Sequence, residues 1–298
     1  MSRRIIIGSR GSELALWQAE HVRAQLQGLN QDAEIKVIRT QGDRIQNLSF
    51  DKLEGKGFFT KELEEELLSS EIDLAVHSHK DLPTESPEGL IIAAVSVRED
   101  PSDLLLMRKD RADTSRKFHL TRKAVVGTSS ARRKSQLLHH VPDIQLRDLR
   151  GNVPTRVNKL REAEYDAIVL ASAGVARLQL DLSDLHTVAL DPQEFIPAPA
   201  QGVLALQTRE SDTGLASVLS KLSNTEVAER IHVERRILQL FEGGCQMPLG
   251  AYCEKEGDEL IVRACVAATW NSPVRYAMQI GKDGDDLARA IVSRLKQH

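Results

Sequence analysis

One strand–turn–helix plan is written twice in this chain, and that repetition limits its fold more than any other feature. The first copy is Ile5-Ile6-Ile7-Gly8-Ser9-Arg10-Gly11-Ser12, followed by Leu16, Ala19, Val22 and Leu26 at helical spacing. The second is Ala124-Val125-Val126-Gly127-Thr128-Ser129-Ser130, followed by Ala131-Arg132-Arg133-Lys134-Ser135-Gln136-Leu137-Leu138. Each copy predicts a buried strand, a Gly/Ser turn and a helix with a hydroxyl cap. A second matched pair follows, Ile72-Asp73-Leu74-Ala75-Val76-His77-Ser78 against Tyr165-Asp166-Ala167-Ile168-Val169-Leu170-Ala171-Ser172. Strands that alternate with helices predict an α/β protein with ligands at the carboxyl ends of its strands. The expectation is two similar domains, like those of two-lobed binding proteins, around one cleft.

The copies differ in one place. The first carries extra residues between its two strands, around 40–60, with Gly42, Gly55 and Gly57 among charged residues. At the mouth of a cleft such a segment reads either as a lid or as a plain surface loop. A third unit starts near Asn224. A helix is predicted from Thr225 to Phe241, and strands over Leu249–Glu254 and Glu259–Ala267 flank the hairpin signal Lys255-Glu256-Gly257-Asp258. A closing helix is predicted from Asp285 to Leu295. The predicted domains are 1–98 with 200–222, then 99–199, then a small α+β domain over 223–298.

Charge and cysteine usage exclude several classes. The 298 residues carry a net charge of −3, so the surface as a whole is no nucleic-acid platform. Apolar runs such as Ala167–Ala171 are far too short to span a bilayer, and no membrane partner is expected. Met1-Ser2-Arg3-Arg4 leads straight into a strand with no signal-peptide pattern, and a cytoplasmic monomer is expected. Cys245, Cys253 and Cys265 are odd in number and lack C-x-x-C spacing, which argues against a disulfide framework and a structural zinc site. His77-Ser78-His79 and His139-His140 have no ligand partners at metal spacing, so no metal is expected.

The chemistry gathers at strand ends. Gly127-Thr128-Ser129-Ser130 opens a helix and precedes Arg132-Arg133; free N–H groups, hydroxyls and forked guanidiniums together make an anion site. Arg10 and Ser12 occupy the equivalent turn, Arg150-Gly151-Asn152 with Arg156 follows the strand-like 144–149, and Arg177 follows Ser172-Ala173-Gly174. Without G-x-x-x-x-G-K-[ST] or G-x-G-x-x-G a nucleotide is not the obvious ligand, and carboxylates suit the guanidiniums equally well. Asp81, beside Lys80 at the end of another strand, either stabilises a cation and moves protons or makes an ordinary turn bond. Leu240-Phe241-Glu242-Gly243-Gly244-Cys245 ends a helix with paired glycines free to take positive φ, and presents or buries one thiol. Three readings stay open: an enzyme, a two-lobed binding protein for a small dicarboxylate, and a redox-sensing cysteine protein.

The same residues stand in one order along essentially the whole chain. They are Gly8–Ser12 with Ala15–Ala19, Gly55-Lys56-Gly57 with Lys61-Glu62-Leu63, and His77-Ser78 with Lys80-Asp81. Gly127–Ser130 with Arg132-Arg133, Leu149–Val153 with Thr155-Arg156, Tyr165–Ile168, Gln201-Gly202 and Glu242–Cys245 complete the set. In these motifs the chain resembles the porphobilinogen deaminase (hydroxymethylbilane synthase) family, which is the reading preferred over the binding protein and the sensor. The resemblance implies a transferase of tetrapyrrole and heme biosynthesis with a dipyrromethane cofactor bound through a thioether to Cys245. It implies that four porphobilinogen molecules are added head to tail with loss of ammonia, and that hydrolysis then releases hydroxymethylbilane. By the same resemblance Asp81 is catalytic and stabilises the positive pyrrole N–H. Arg10, Ser12, Lys80, Thr128, Ser129, Ser130, Arg132, Arg133, Arg150, Gly151, Arg156, Ser172, Arg177, Gln201 and Gly244 would hold cofactor and substrate, with Lys56 and Phe59 bordering the lid. His79, Ala131, Pro154 and Ala200 depart from the family's usual residues, and none of these changes removes a charged or thiol group.

Overall fold

The protein is described by a computed structural model over residues 4–40, 60–243 and 247–297. In chain order the first elements are β1 (Ile5–Arg10), α1 (Glu13–Gly28), β2 (Ala33–Ile38), α2 (Lys61–Leu68), β3 (Leu74–Ser78) and β4 (Leu90–Val95). Next come β5 (Asp103–Arg108), β6 (Val125–Gly127), α3 (Ala131–His140), β7 (Gln145–Arg147), α4 (Val153–Arg161), β8 (Ala167–Ala171), α5 (Ser172–Leu178) and β9 (Leu185–Leu190). The chain continues through β10 (Leu204–Arg209), α6 (Thr213–Ser220), α7 (Thr225–Leu240), β11 (Leu249–Glu256), β12 (Glu259–Val266), β13 (Arg275–Gly281) and α8 (Gly284–Lys296).

Contacts divide these elements into two compact units. One joins the N-terminal residues up to Glu99 with Gly202–Ala228, and the other joins Asp100–Gln201 with the residues from Glu229 onward. The first unit holds a five-stranded sheet in the order β2-β1-β3-β10-β4, and the second holds one in the order β7-β6-β8-β5-β9. The duplicated motifs fall on equivalent strands, with β1 parallel to β2 and β3, and β6 parallel to β7 and β8. The fold is therefore α/β and duplicated, as the repeated plan predicts.

Each sheet also contains one reversed strand that the repeat did not announce. β10 runs antiparallel to β3 and β4, and β5 runs antiparallel to β8 and β9. β5 carries the apolar run Leu104–Met107, β10 opens on Leu204-Ala205-Leu206 before Gln207-Thr208-Arg209, and neither pattern carries a signal for strand direction.

Two faces of the first sheet do different work. Ile5, Ile7, Leu74, Val76, Leu204 and Leu206 pack on Ala19, Val22 and Leu26 of α1. The opposite face, through Ala75, meets Leu63 and Leu67 of α2 together with Ile72. Each such leucine contributes roughly 1.5–3 kcal/mol on burial. Hydroxyl and amide caps start the helices as the sequence suggests. Ser12 Oγ accepts from Ala15 N at 3.3 Å, Ser130 Oγ from Arg133 N at 3.4 Å, and Asn152 Oδ1 from Thr155 N at 2.9 Å.

In the second unit β11, β12 and β13 form an antiparallel meander with α7 and α8 against one face. The third strand, β13, which the sequence reading left out, is an edge strand with Tyr276, Met278 and Ile280 turned to the exposed side. Ala251 N donates to Pro197 O at 3.1 Å, tying this small sheet to the rest of its unit.

α7 closes with Glu242 N bonded to Gln239 O at 2.8 Å and Gly243 N bonded to Leu238 O at 3.1 Å. That pattern puts a left-handed residue after the helix, and Glu242 takes it at φ 54°. Gly243 serves close approach instead: a Cβ there would sit 2.7 Å from Met247 Sδ and 2.9 Å from Leu238 Cδ1. Gly244 and Cys245 lie outside the described residues, as do Lys56, Phe59 and all of the 40–60 segment except Thr40 and Thr60.

Candidate functional site

In the first unit the sequence-predicted residues converge at the carboxyl ends of β1 and β3. Arg10 is the last residue of β1, Ser12 caps α1, and Ser78 ends β3. A 3-10 turn over His79–Asp81 then carries Lys80 and Asp81, with Asp81 exposed. This turn is fixed by backbone bonds from His79 N to Val203 O (2.9 Å) and from Leu82 N to His79 O (3.2 Å). One pocket is lined by Arg10, Ser12, Gln18, Thr60, His77, Ser78 and Asp81. A guanidinium, three hydroxyls and a carboxylate around one cavity suit a ligand with an anionic group beside a polar N–H.

His77, read from sequence only as part of a motif, is buried beneath this pocket with Nε2 3.0 Å from Gln207 Oε1. Burial pulls its pKa down to about 4, the Gln207 bond opposes that fall, and the Arg10 charge adds to it. An unfolded imidazole titrates near 6.5, so between pH 6.5 and about 4 the unfolded chain binds more protons and acid favours unfolding. The loss is worth about 3 kcal/mol across that window. Denaturant midpoints measured at pH 7 and pH 4.5 should therefore move less for His77→Gln than for the unaltered chain.

The second unit uses its turn residues more structurally. Ser129 Oγ donates to Leu149 O at 2.9 Å and accepts from Leu149 N at 3.0 Å, which brings the β6 turn against the turn carrying Arg150. Thr128 Oγ1 accepts from Ser130 N at 3.3 Å. Gly151, at φ 111°, lets the chain turn sharply into α4, and Arg156 Nε folds back to Gly151 O at 2.7 Å. Ser172 starts α5 at the end of β8 with its Oγ 2.6 Å from Ser102 Oγ, and Arg177 is buried one turn and a half further on.

Arg132 and Arg133 are both buried, and both close on one residue that the sequence reading missed, Asp103. Arg132 Nη1 donates to Asp103 Oδ2 at 2.7 Å and to Ile196 O at 2.9 Å. Arg133 donates to Asp103 Oδ1 from Nε at 3.0 Å and from Nη2 at 2.7 Å, with Nη1 on Val169 O at 3.0 Å. Gln201 Nε2 reaches the same Oδ1 at 3.1 Å. Burial pushes the Asp103 carboxyl up, but the two guanidiniums outweigh it and hold the pKa well below the carboxylate range. The signal available in sequence was a lone aspartate opening the apolar run Leu104–Met107, where an uncompensated charge cannot stay.

The donor set fits a ligand rich in carboxylates. Arginines stand at the ends of β1 and in the turns after β7, and capped helix starts lie beside them. Among the described residues no cluster of three or more His, Cys, Asp or Glu could hold a metal ion, and no helix is long and apolar enough to cross a membrane.

Two duplicated sheets of one plan and a small appended antiparallel sheet define an α/β protein with polar and charged side chains at its strand ends. Comparison with known proteins makes that class specific. The family model for porphobilinogen deaminase, dipyromethane cofactor binding domain, matches residues 5–217, and the model for the porphobilinogen deaminase C-terminal domain matches residues 228–291. The porphobilinogen deaminase of Oceanobacillus iheyensis is 40% identical over 99% of this chain and 98% of its own length. That of Bacillus subtilis is 40% identical over 97% and 91%, and that of Gloeobacter violaceus 42% over 99% and 91%. The chain belongs to the porphobilinogen deaminase family. Among solved structures, the Bordetella pertussis BvgS periplasmic VFT2 domain aligns with a TM-score of 0.44 at 17% identity, over 78% of this chain and 93% of that one.

Proposed function

We propose that this chain condenses four porphobilinogen molecules head to tail, with loss of ammonia, and releases hydroxymethylbilane by hydrolysis. The observation that carries the reading is family membership over nearly the full length, with the cofactor-binding model spanning residues 5–217. Cys245 is the residue we assign to the thioether that holds the dipyrromethane, placed by the Glu242-Gly243-Gly244-Cys245 motif that follows α7. When bound, that group would supply the free pyrrole carbon onto which the first substrate is joined.

The chain's own residues do the rest. Asp81 faces the pocket that Arg10 and Ser12 line, so its carboxylate can stabilise a positive pyrrole N–H and take or return a proton there. Arg10 binds an acetate or propionate of the substrate in the same pocket, with Ser12 beside it as a second donor. Arg150, Arg156 and Arg177 take further carboxylates, while Arg132 and Arg133 give the Asp103 cluster a net positive charge toward them. Gln201 orders that cluster through Asp103. Lys56, Phe59 and Lys80 complete the substrate contacts in this reading. We place the enzyme in the cytoplasm as a monomer; Cys253 and Cys265, buried and outside any disulfide, are in keeping with the compartment.

Intact mass of the denatured protein tests the proposal. An excess over 33.1 kDa equal to two deaminated pyrrole units, mapped to Cys245, is expected in the purified protein or after incubation with porphobilinogen. A chain that gains no adduct under either condition, and binds porphobilinogen only reversibly, overturns it.

A further inference from the structure

A line of buried polar side chains runs under α2 that the chemistry above does not use. Gly8 pairs with Ala75 on β3, and Ala75 pairs with Gln207 on β10. Two residues further along β3, His77 comes abreast of Arg10 at the end of β1. Side chains two apart on a strand share a face, so Arg10, His77 and Gln207 lie on the face that α2 covers. Glu64, on α2, reaches down to them.

Hydrogen-bond polarity along this line is determined at one end. Thr60 Oγ1 donates to Glu64 Oε2 at 3.4 Å, and Gln207 Nε2 donates to Glu64 Oε1 at 3.2 Å. Two donors converge on the two oxygens of a carboxylate, which can only accept. Gln207 must then turn its amide oxygen toward His77, 3.0 Å away, so His77 Nε2 carries the hydrogen and Nδ1 keeps its lone pair. All four residues are buried, and turning the Gln207 amide around would set its oxygen against the Glu64 carboxylate.

We propose that Glu64 and Gln207 lock the tautomer of His77, and that His77, neutral and oriented, is a positioning residue for Arg10. An imidazole cation beside Arg10 would repel the guanidinium, whereas a neutral ring lets it stay at the pocket that both residues line. The low pKa of His77 agrees with this arrangement. Thr60, at the start of the line, also lines the pocket, so the network joins the first turn of α2 to the site. The role assigned to His77 rests on the reading of Arg10 as a carboxylate ligand.

Long-range proton–nitrogen NMR of the holoenzyme with labelled histidine, paired with porphobilinogen kinetics, tests this. The unaltered protein should show His77 as the Nε2–H form alone at pH 7. Glu64→Gln lets Gln207 turn around, so a mixture of His77 tautomers is expected, with KM raised about fivefold and kcat changed less than about twofold. Gln207→Met, which removes the partner while keeping the length, should give the same pair of changes if Glu64→Gln folds poorly. An Nδ1–H form or a mixture in the unaltered protein overturns the lock. A mixture in the variants with unchanged KM overturns the positioning role. A locked tautomer in a protein that consumes no porphobilinogen overturns the functional reading and the role toward Arg10 with it, while the lock stands.

Discussion

Asp81→Asn should lower hydroxymethylbilane formation by about 10²–10⁴-fold, the range that positioned proton transfer contributes. The substitution keeps the shape of the side chain and removes only its charge and basicity. Its turn is built from backbone bonds, His79 N to Val203 O and Leu82 N to His79 O, which need no carboxylate. Strand β3 enters that turn already paired to β10 from Leu74 to Ser78. The fold should therefore persist, with a melting temperature within about 2 °C, since exposed substitutions usually change stability by less than about 0.5 kcal/mol. Adduct formation on Cys245 should survive far better than turnover. Single-turnover rates and intact mass on the same preparation separate these effects. Near-normal turnover would take Asp81 out of the chemistry and leave it as a turn residue.

Much of this was legible because short local signals agree with the fold. The Gly/Ser turns after β1 and β6, and the hydroxyl caps Ser12 and Ser130, are set by neighbours in sequence. What stayed hidden depends on partners far along the chain. Asp103 meets Arg133 across 30 positions, and Gln207 meets Glu64 across 143. A sequence shows two adjacent arginines at a helix start, but not that a buried aspartate from the reversed strand β5 waits between them. Strand direction is equally silent, since the residue patterns of β5 and β10 read the same whichever way the strands point. The helix end is a middle case: the sequence places it near Phe241, but the left-handed residue there is Glu242, while Gly243 makes room for Leu238 and Met247.

The lobes also handle positive charge differently. Arg10 lines an open pocket beside Ser12 and Asp81, with a neutral histidine beneath it. Arg132 and Arg133 are buried, so each must be matched before it can serve a ligand. Both guanidiniums are held rigidly, by bonds to Ile196 O and Val169 O as well as to Asp103.

Asp103→Asn should expose that dependence as a loss of about 3–5 kcal/mol in unfolding free energy, the usual cost of leaving a buried ion without its partner. Three guanidinium bonds end on the two Asp103 oxygens, and the amide keeps one acceptor while setting a donor against the arginines. Chemical denaturation of both proteins measures the loss. Adding Arg133→Leu to Asp103→Asn should recover part of it, because the second change removes a charge the first left unpaired. The pH dependence has a definite sign. The folded carboxyl titrates well below an unfolded aspartate, so its contribution is complete above the unfolded pKa of about 3.9 and is lost as pH falls toward the folded value. The gap between the two proteins should therefore stay level from pH 7 to about 4.5 and narrow only in stronger acid. A loss under about 1 kcal/mol would show that the Arg132 and Arg133 charges find their compensation elsewhere, and Asp103 would no longer be the residue that permits two arginines in this interior.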